Sequence, residues 1–213
     1  MLSARSSLLK YVIENSQRGD AQSVIDTIDQ FGWTQQWLMN IGDEKGKILD
    51  GALRQRRPRS VLELGTYLGY SSLRMANQLP DNVLIVSIEK DARSAEIART
   101  IHQHAGMANR VNILVDSTSH AIPRLSRQFR LEAFDFIFID HVKDLYLPDV
   151  KLLERYGLIR SGTMIVADNV ITPGAPDYLR YVRNSPNYAS KMYDTSIEYR
   201  NDVKDGVEVS VRK

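Results

Sequence analysis

The 213-residue chain contains no cysteine. That excludes a disulfide framework, a thiol nucleophile and a thiolate-built zinc site. No stretch approaches the ~18 consecutive apolar residues of a membrane span, and the N-terminus lacks a secretory pattern. A surplus of either charge is missing as well: 28 Lys and Arg stand against 26 Asp and Glu, leaving a formal +2. Without a basic stripe the chain is a poor binder of phosphate backbones, so no nucleic-acid partner is expected. There are no repeats, low-complexity tracts or linkers. His102, His104 and His120 show no metal-ligand spacing. The remainder is an ordinary globular composition, long enough for one ample core. The expectation is one domain over residues 1–213, cytoplasmic, monomeric and not membrane-bound.

Residues 4–15 carry Leu8, Leu9, Val12 and Ile13 at helical spacing. Gly19-Asp20 opens a second helix and Asp43 a third, which makes residues 1–57 an N-terminal helical cap. Between those helices, Phe31 to Asp43 reads as a loop. It holds Trp33, Trp37 and Met39, either a cover for the sheet edge or a flap over a flat apolar ligand. From residue 58 onward, strands and helices alternate. Strands are predicted at 61–65, 83–88, 111–115, 134–139, 162–167, 191–198 and 206–212, with helices at 92–105, 119–129, 147–157 and 177–184. This alternation predicts an α/β fold: a Rossmann-like, doubly wound, mostly parallel seven-stranded sheet with an antiparallel C-terminal strand.

Two of those strands end abruptly in carboxylates. Phe134-Asp-Phe-Ile-Phe-Ile-Asp140 is one, and Gly162-Thr-Met-Ile-Val-Ala-Asp168-Asn169 is the other. Ligands of open α/β sheets bind beyond the carboxyl ends of the strands. Asp140, Asp168 and Asn169 form a hard-oxygen set suited to Mg²⁺ with positions left open for a substrate. The competing reading makes both acids helix N-caps.

After the first strand comes Glu63-Leu-Gly65-Thr-Tyr67-Leu-Gly69-Tyr-Ser71. Its spacing is not the Gly-x-Gly-x-x-Gly of dinucleotide binders, so a pyrophosphate cradle is not implied. Glu63 inside a strand needs a partner. Glu89 ends the second strand, where an acid accepts ribose hydroxyls. An adenosine ligand with positive charge and no phosphates fits both, which points to S-adenosylmethionine.

The segments Trp37-Leu-Met-Asn-Ile-Gly-Asp-Glu-Lys-Gly46, Val61 to Ser71, Ile139-Asp-His-Val-Lys-Asp144, Tyr146-Leu-Pro-Asp149 and Ala167-Asp-Asn-Val-Ile-Thr-Pro-Gly174 resemble the catechol O-methyltransferase family. The likeness runs in register from about residue 8 to residue 210. The resemblance implies a Mg²⁺-dependent transfer of a methyl group from S-adenosylmethionine to a small-molecule catechol. It makes Asp140, Asp168 and Asn169 the metal ligands, Lys143 the general base, and Glu198 the acceptor for the second hydroxyl. Glu63, Gly65, Tyr67, Ser71 and Glu89 would hold the cofactor, with Ile41, Thr118, Ser119, Asp140 and His141 alongside. Trp37, Met39 and Pro173 would wall the catechol ring, which also meets Asp140, Lys143 and Asn169. His141 is also readable as a second base or as a packed, hydrogen-bonded side chain, and Tyr199 as sheet packing or pocket lining. The chain departs from the family's animal members at Val142, where they carry Trp. It departs again at Thr118-Ser119 and at Lys90. The alternatives are a cation-dependent O-methyltransferase for bulkier diols, hydroxycinnamoyl thioesters or flavonoids, an NAD-dependent oxidoreductase, and a silent adenosine-binding module.

Overall fold

In the computed structural model, residues 4–213 are described; the first three residues of the predicted cap lie outside them. Three helices come first: α1 (Ala4–Asn15), α2 (Ala21–Thr34) and α3 (Gly42–Arg56). Asp20 caps α2 by accepting from the Ser23 amide at 3.0 Å, which satisfies one of the free N–H groups of the first turn. α3 stops at Arg57, in a left-handed conformation just before Pro58. The sheet then forms from β1 (Ser60–Leu64), β2 (Leu84–Glu89), β3 (Asn112–Val115), β4 (Phe136–Ile139), β5 (Met164–Ala167), β6 (Tyr188–Ser196) and β7 (Lys204–Arg212). Between strands lie α4 (Tyr70–Gln78), α5 (Ala92–His104), α6 (Thr118–Ala121), α7 (Leu125–Phe129), α8 (Tyr146–Arg155) and α9 (Pro176–Asn184).

Strand order is β3-β2-β1-β4-β5-β7-β6. β1 through β5 pair in parallel, and β7 runs antiparallel to both its neighbours. This is the doubly wound sheet that the alternation predicts. Its apolar runs are continuous because both faces are covered. Phe136 and Phe138 point into the layer shared with α1–α5, while Ile137 and Ile139 point into the layer of α6–α9. The first three helices thus share one buried cluster with α4, α5 and the sheet.

Three local expectations differ from the structure. The stretch from Phe31 is not all loop, since α2 continues to Thr34; Phe31 belongs on its inward stripe and is buried in the core. The predicted helix 119–129 is broken into α6, a tight turn over Ile122–Arg124 and α7. Pro123 supplies no N–H there, so the hydrogen-bond ladder cannot run through. β6 begins and ends earlier than predicted, leaving Glu198 in the turn after it, and β7 begins two residues earlier, which adds Asp205, whose position matters below.

The chain runs outward from β1 to β3, then returns to place β4 on the other side of β1. That makes the carboxyl ends of β1 and β4 the switch point, the place where such sheets bind ligands. The tips there are stitched together. The Asp140 amide donates to Leu64 O at 2.9 Å, and the Asp168 amide donates to Ile139 O at 3.0 Å.

Candidate active site

A cleft of about 830 Å³ opens over those strand tips, within the range of small-molecule sites. Beside β4 and β5 its wall carries Asp140, Lys143 and Asn169, with Glu198 and Pro173 next to them. Toward β2 and β3 it carries Gly65, Tyr67, Glu89, Thr118 and Ser119, with His141 on the floor. Trp37 and Met39 reach it from the segment between α2 and α3. The Trp37 indole N–H donates to Glu198 O at 3.0 Å, which fixes the ring across the mouth. Four sequence-predicted residues lie behind the walls: Ile41, Glu63 and Asp168 are fully buried and Ser71 nearly so. Trp33 faces away, packing edge-on against Tyr199 at 5.8 Å. Tyr199 does not line this cleft either. It is buried and its hydroxyl donates to Asp29 at 2.9 Å.

Gly65 is a position that only glycine fits. Its φ is +99°, and a Cβ there would come within 2.4 Å of the Asp140 carbonyl oxygen. Asn169 follows β5 at φ +51°, a left-handed conformation that Asn tolerates better than most residues. That turn brings its side chain back beside Asp168.

At the β4 and β5 tips, the Lys143 ammonium donates to Asp140 Oδ1 at 3.2 Å and to Asn169 Oδ1 at 3.1 Å. The Tyr146 hydroxyl accepts from it at 2.6 Å and donates to the Asp168 carbonyl at 2.9 Å. A cation therefore already rests on two of the three predicted metal-ligand side chains. The third, Asp168, keeps Oδ1 buried with no hydrogen-bond donor. Burial raises its carboxyl group's pKa, against the pull of Lys45. Among the described residues no three His, Cys, Asp or Glu side chains are placed to hold a metal ion by themselves, so a metal here would draw on the amide oxygen of Asn169 as well. Formally, the carboxylates of Asp140, Asp168, Glu198 and Asp205 face two ammonium groups, those of Lys45 and Lys143. The two uncompensated negative charges match one divalent cation, so the donor set fits Mg²⁺.

The adenosine side fits its ligand too. Glu89 accepts from the Tyr67 amide at 2.8 Å and from the Asp91 amide at 2.9 Å, one on each oxygen. One lone pair per oxygen is left for a pair of hydroxyl donors. His141 is hydrogen-bonded rather than free: its Nε2 lies 2.7 Å from Asp149 Oδ2.

Glu63 lies under this floor, with Ser87 donating to Oε2 and Oε1 left without a partner. Burial pushes its carboxyl group up to about 8. The folded protein therefore holds that proton up to about pH 8, whereas the unfolded chain releases it near the ordinary value of 4.5. The stability that this group confers is full below 4.5 and is lost as pH rises toward 8. Glu63→Gln removes the titration. Its melting temperature relative to wild type is expected to rise between pH 5 and pH 8, by up to about 1.4 kcal/mol of stability per pH unit. A difference that stays flat across calorimetric scans at pH 5, 6.5 and 8 would show that Glu63 does not ionise in this range.

Sequence reasoning missed Lys45, Asp205 and Tyr146. Lys45 had a signal. It stands four residues before Leu49 on the buried stripe of α3, where a lysine needs anionic partners.

A family model described as O-methyltransferase matches residues 16–184. Catechol O-methyltransferase B of Danio rerio is 48% identical over 204 residues, covering 96% of this chain and 77% of that protein. Catechol O-methyltransferase of Mus musculus is 42% identical, with the same coverage. An O-methyltransferase from Streptomyces achromogenes involved in tomaymycin synthesis, solved in complex with SAM, superposes with a TM-score of 0.76. It is 22% identical, with all of both chains covered. None of these comparisons supports an oxidoreductase. The chain belongs to the O-methyltransferase family, among the catechol O-methyltransferases.

Proposed function

We propose that this protein transfers the methyl group of S-adenosylmethionine to one hydroxyl of a catechol, with Mg²⁺ as its resident metal. The observation that carries the reading is the pair of adjacent strand tips. Asp140 and Asn169 there already hold a cationic group, beside the unpartnered buried oxygen of Asp168. Asp140, Asp168 and Asn169 would hold the metal, which when bound acts as a Lewis acid favouring the ionised form of a neighbouring hydroxyl.

The residues of the chain do the rest. Trp37, Met39 and Pro173 hold the flat ring. Glu198 accepts a hydrogen bond from the hydroxyl that is not methylated. Lys143, in its neutral form, takes the proton of the hydroxyl that is. The phenolic oxygen then forms a bond to the methyl carbon as the carbon–sulfur bond breaks, giving a methoxyphenol and S-adenosylhomocysteine. Glu89 holds the ribose hydroxyls; Gly65, Tyr67, Thr118, Ser119 and His141 shape the adenosine side. Glu63, Ile41 and Ser71 support that floor from behind. Charge is neutralised in the transfer, so a water-poor cleft favours it, and alignment of oxygen, carbon and sulfur contributes up to ~7–11 kcal/mol in well-oriented systems. The same reading makes the protein a single-domain, monomeric enzyme of the cytosol.

A bulkier vicinal diol is the second reading. Val142 and Leu145 line the rim, and Val142 is 51% exposed, so that side of the mouth is apolar and open.

The test is incubation with S-adenosylmethionine and Mg²⁺, using pyrocatechol in one arm and a flavonoid diol in the other, with product followed by mass. A singly methylated product is expected, and EDTA should abolish it. Full activity in EDTA, or no product from either diol with Mg²⁺ present, overturns the proposal.

A further inference from the structure

Lys45 takes no part in that chemistry, yet its side chain is 1% exposed and its ammonium touches three carboxylates. It donates to Glu198 Oε2 at 2.8 Å, Asp168 Oδ2 at 2.9 Å and Asp205 Oδ2 at 3.1 Å. Three carboxylates around one ammonium offset the cost of burying it.

The consequence lies in which oxygens remain free. With Oδ2 of Asp168 tied to Lys45, only Oδ1 is left, and that atom is buried and without a partner. Asn169 is oriented in the same way. Its amide NH₂ donates to Asp205 Oδ2 at 2.8 Å and to Glu198 Oε2 at 3.2 Å, which turns its Oδ1 toward Lys143. Asp205 is itself anchored by the Ile171 and Thr172 amides, at 3.3 and 3.0 Å. The close approach of α3 to the β6–β7 hairpin depends on Gly42. A Cβ there would lie 2.9 Å from the Cβ of Glu198, and its φ is +69°.

Mg²⁺ takes single oxygens in near-octahedral geometry, whereas Ca²⁺ takes six to eight, often both oxygens of one carboxylate. We propose that Lys45 selects the metal: by holding Asp168 Oδ2 it denies the two-oxygen grip by which a larger ion fills its coordination shell, so the site takes Mg²⁺ over Ca²⁺. Lys45 is a positioning residue, acting through Asp168, Asn169 and Glu198. The inference rests on the metal reading above.

The experiment uses the full chain with no methyl donor or acceptor. Bound Mn²⁺ is followed by electron paramagnetic resonance and displaced by Mg²⁺ or by Ca²⁺. The unaltered chain should release Mn²⁺ at lower Mg²⁺ than Ca²⁺. In Lys45→Met that preference should fall by roughly tenfold, the lower range for partners of metal ligands. A role confined to stability would lower the melting temperature and leave the ratio alone. An unchanged ratio in a folded Lys45→Met overturns the proposal. Should that variant not fold, Asp205→Asn, which keeps an acceptor for the two amides, must lower the preference, and an unchanged ratio there overturns it as well. Failure of the unaltered chain to bind Mn²⁺ overturns the metal reading itself, and this inference with it.

Discussion

Asp168→Asn is expected to lower turnover by about 10³-fold at a Mg²⁺ concentration that saturates the unaltered enzyme. The substitution removes one negative charge and leaves the shape. Lys45 still finds an oxygen to donate to, and the remaining carboxylates, Glu198 and Asp205, still hold it. What disappears is the buried anionic Oδ1 that no protein donor satisfies. A metal acting on a bound oxygen contributes several kcal/mol to a transition state, and each ~1.4 kcal/mol is a factor of ten. The loss should be partly recovered by raising Mg²⁺, because the defect begins in affinity. A Mg²⁺ titration of turnover, read beside a Mn²⁺-binding curve, separates the two. Turnover within threefold of wild type at ordinary Mg²⁺ would remove Asp168 from the metal site.

Lys143→Met should cut turnover at least ~10²-fold, the lower range for a proton-transferring group, and leave cofactor affinity unchanged. Methionine keeps an apolar stem of similar length and removes the ammonium, which lies 4.8 Å from the centre of the Tyr146 ring. Asp140 Oδ1 and Asn169 Oδ1 lose a hydrogen bond each, but a bound cation compensates both, so metal affinity should hold or rise. Calorimetric titration with S-adenosylhomocysteine provides the affinity, and steady-state kinetics the turnover. Wild-type turnover in this variant would show that the acceptor hydroxyl loses its proton by another route. A parallel loss of cofactor binding would show that Lys143 supports the cleft rather than the reaction.

The positions of the strand-tip residues are legible in the sequence. Phe136 to Ile139 and Met164 to Ala167 are apolar runs that end in an acid, and a run buried on both faces announces its own length. That rule is local, so it located Asp140 and Asp168 without knowing which strands are neighbours. Glu89 and Gly65 were legible by the same kind of reasoning, one from its place at a strand end, the other from a turn that needs a missing Cβ. The reading failed where a local pattern had two solutions. Phe31 to Thr34 continues a helix because Phe31 finds a place in the core, and a loop would have carried the same residues. Tyr199 beside Glu198 lies in the turn after β6 rather than on a strand, and its hydroxyl reaches Asp29 instead of the cleft.

Residue types, their order and their periodicity settled the strands, their alternation with helices and the two acids at the strand tips, since each is written in a local pattern of the chain. Folding alone could settle the pairing of Lys45 with Asp168 and Asp205, whose partners stand 123 and 160 positions apart. Coulomb attraction acts across space and leaves no periodic trace. Which oxygen of Asp168 stays free is therefore a property of the packed molecule, and nothing in the neighbouring residues records it.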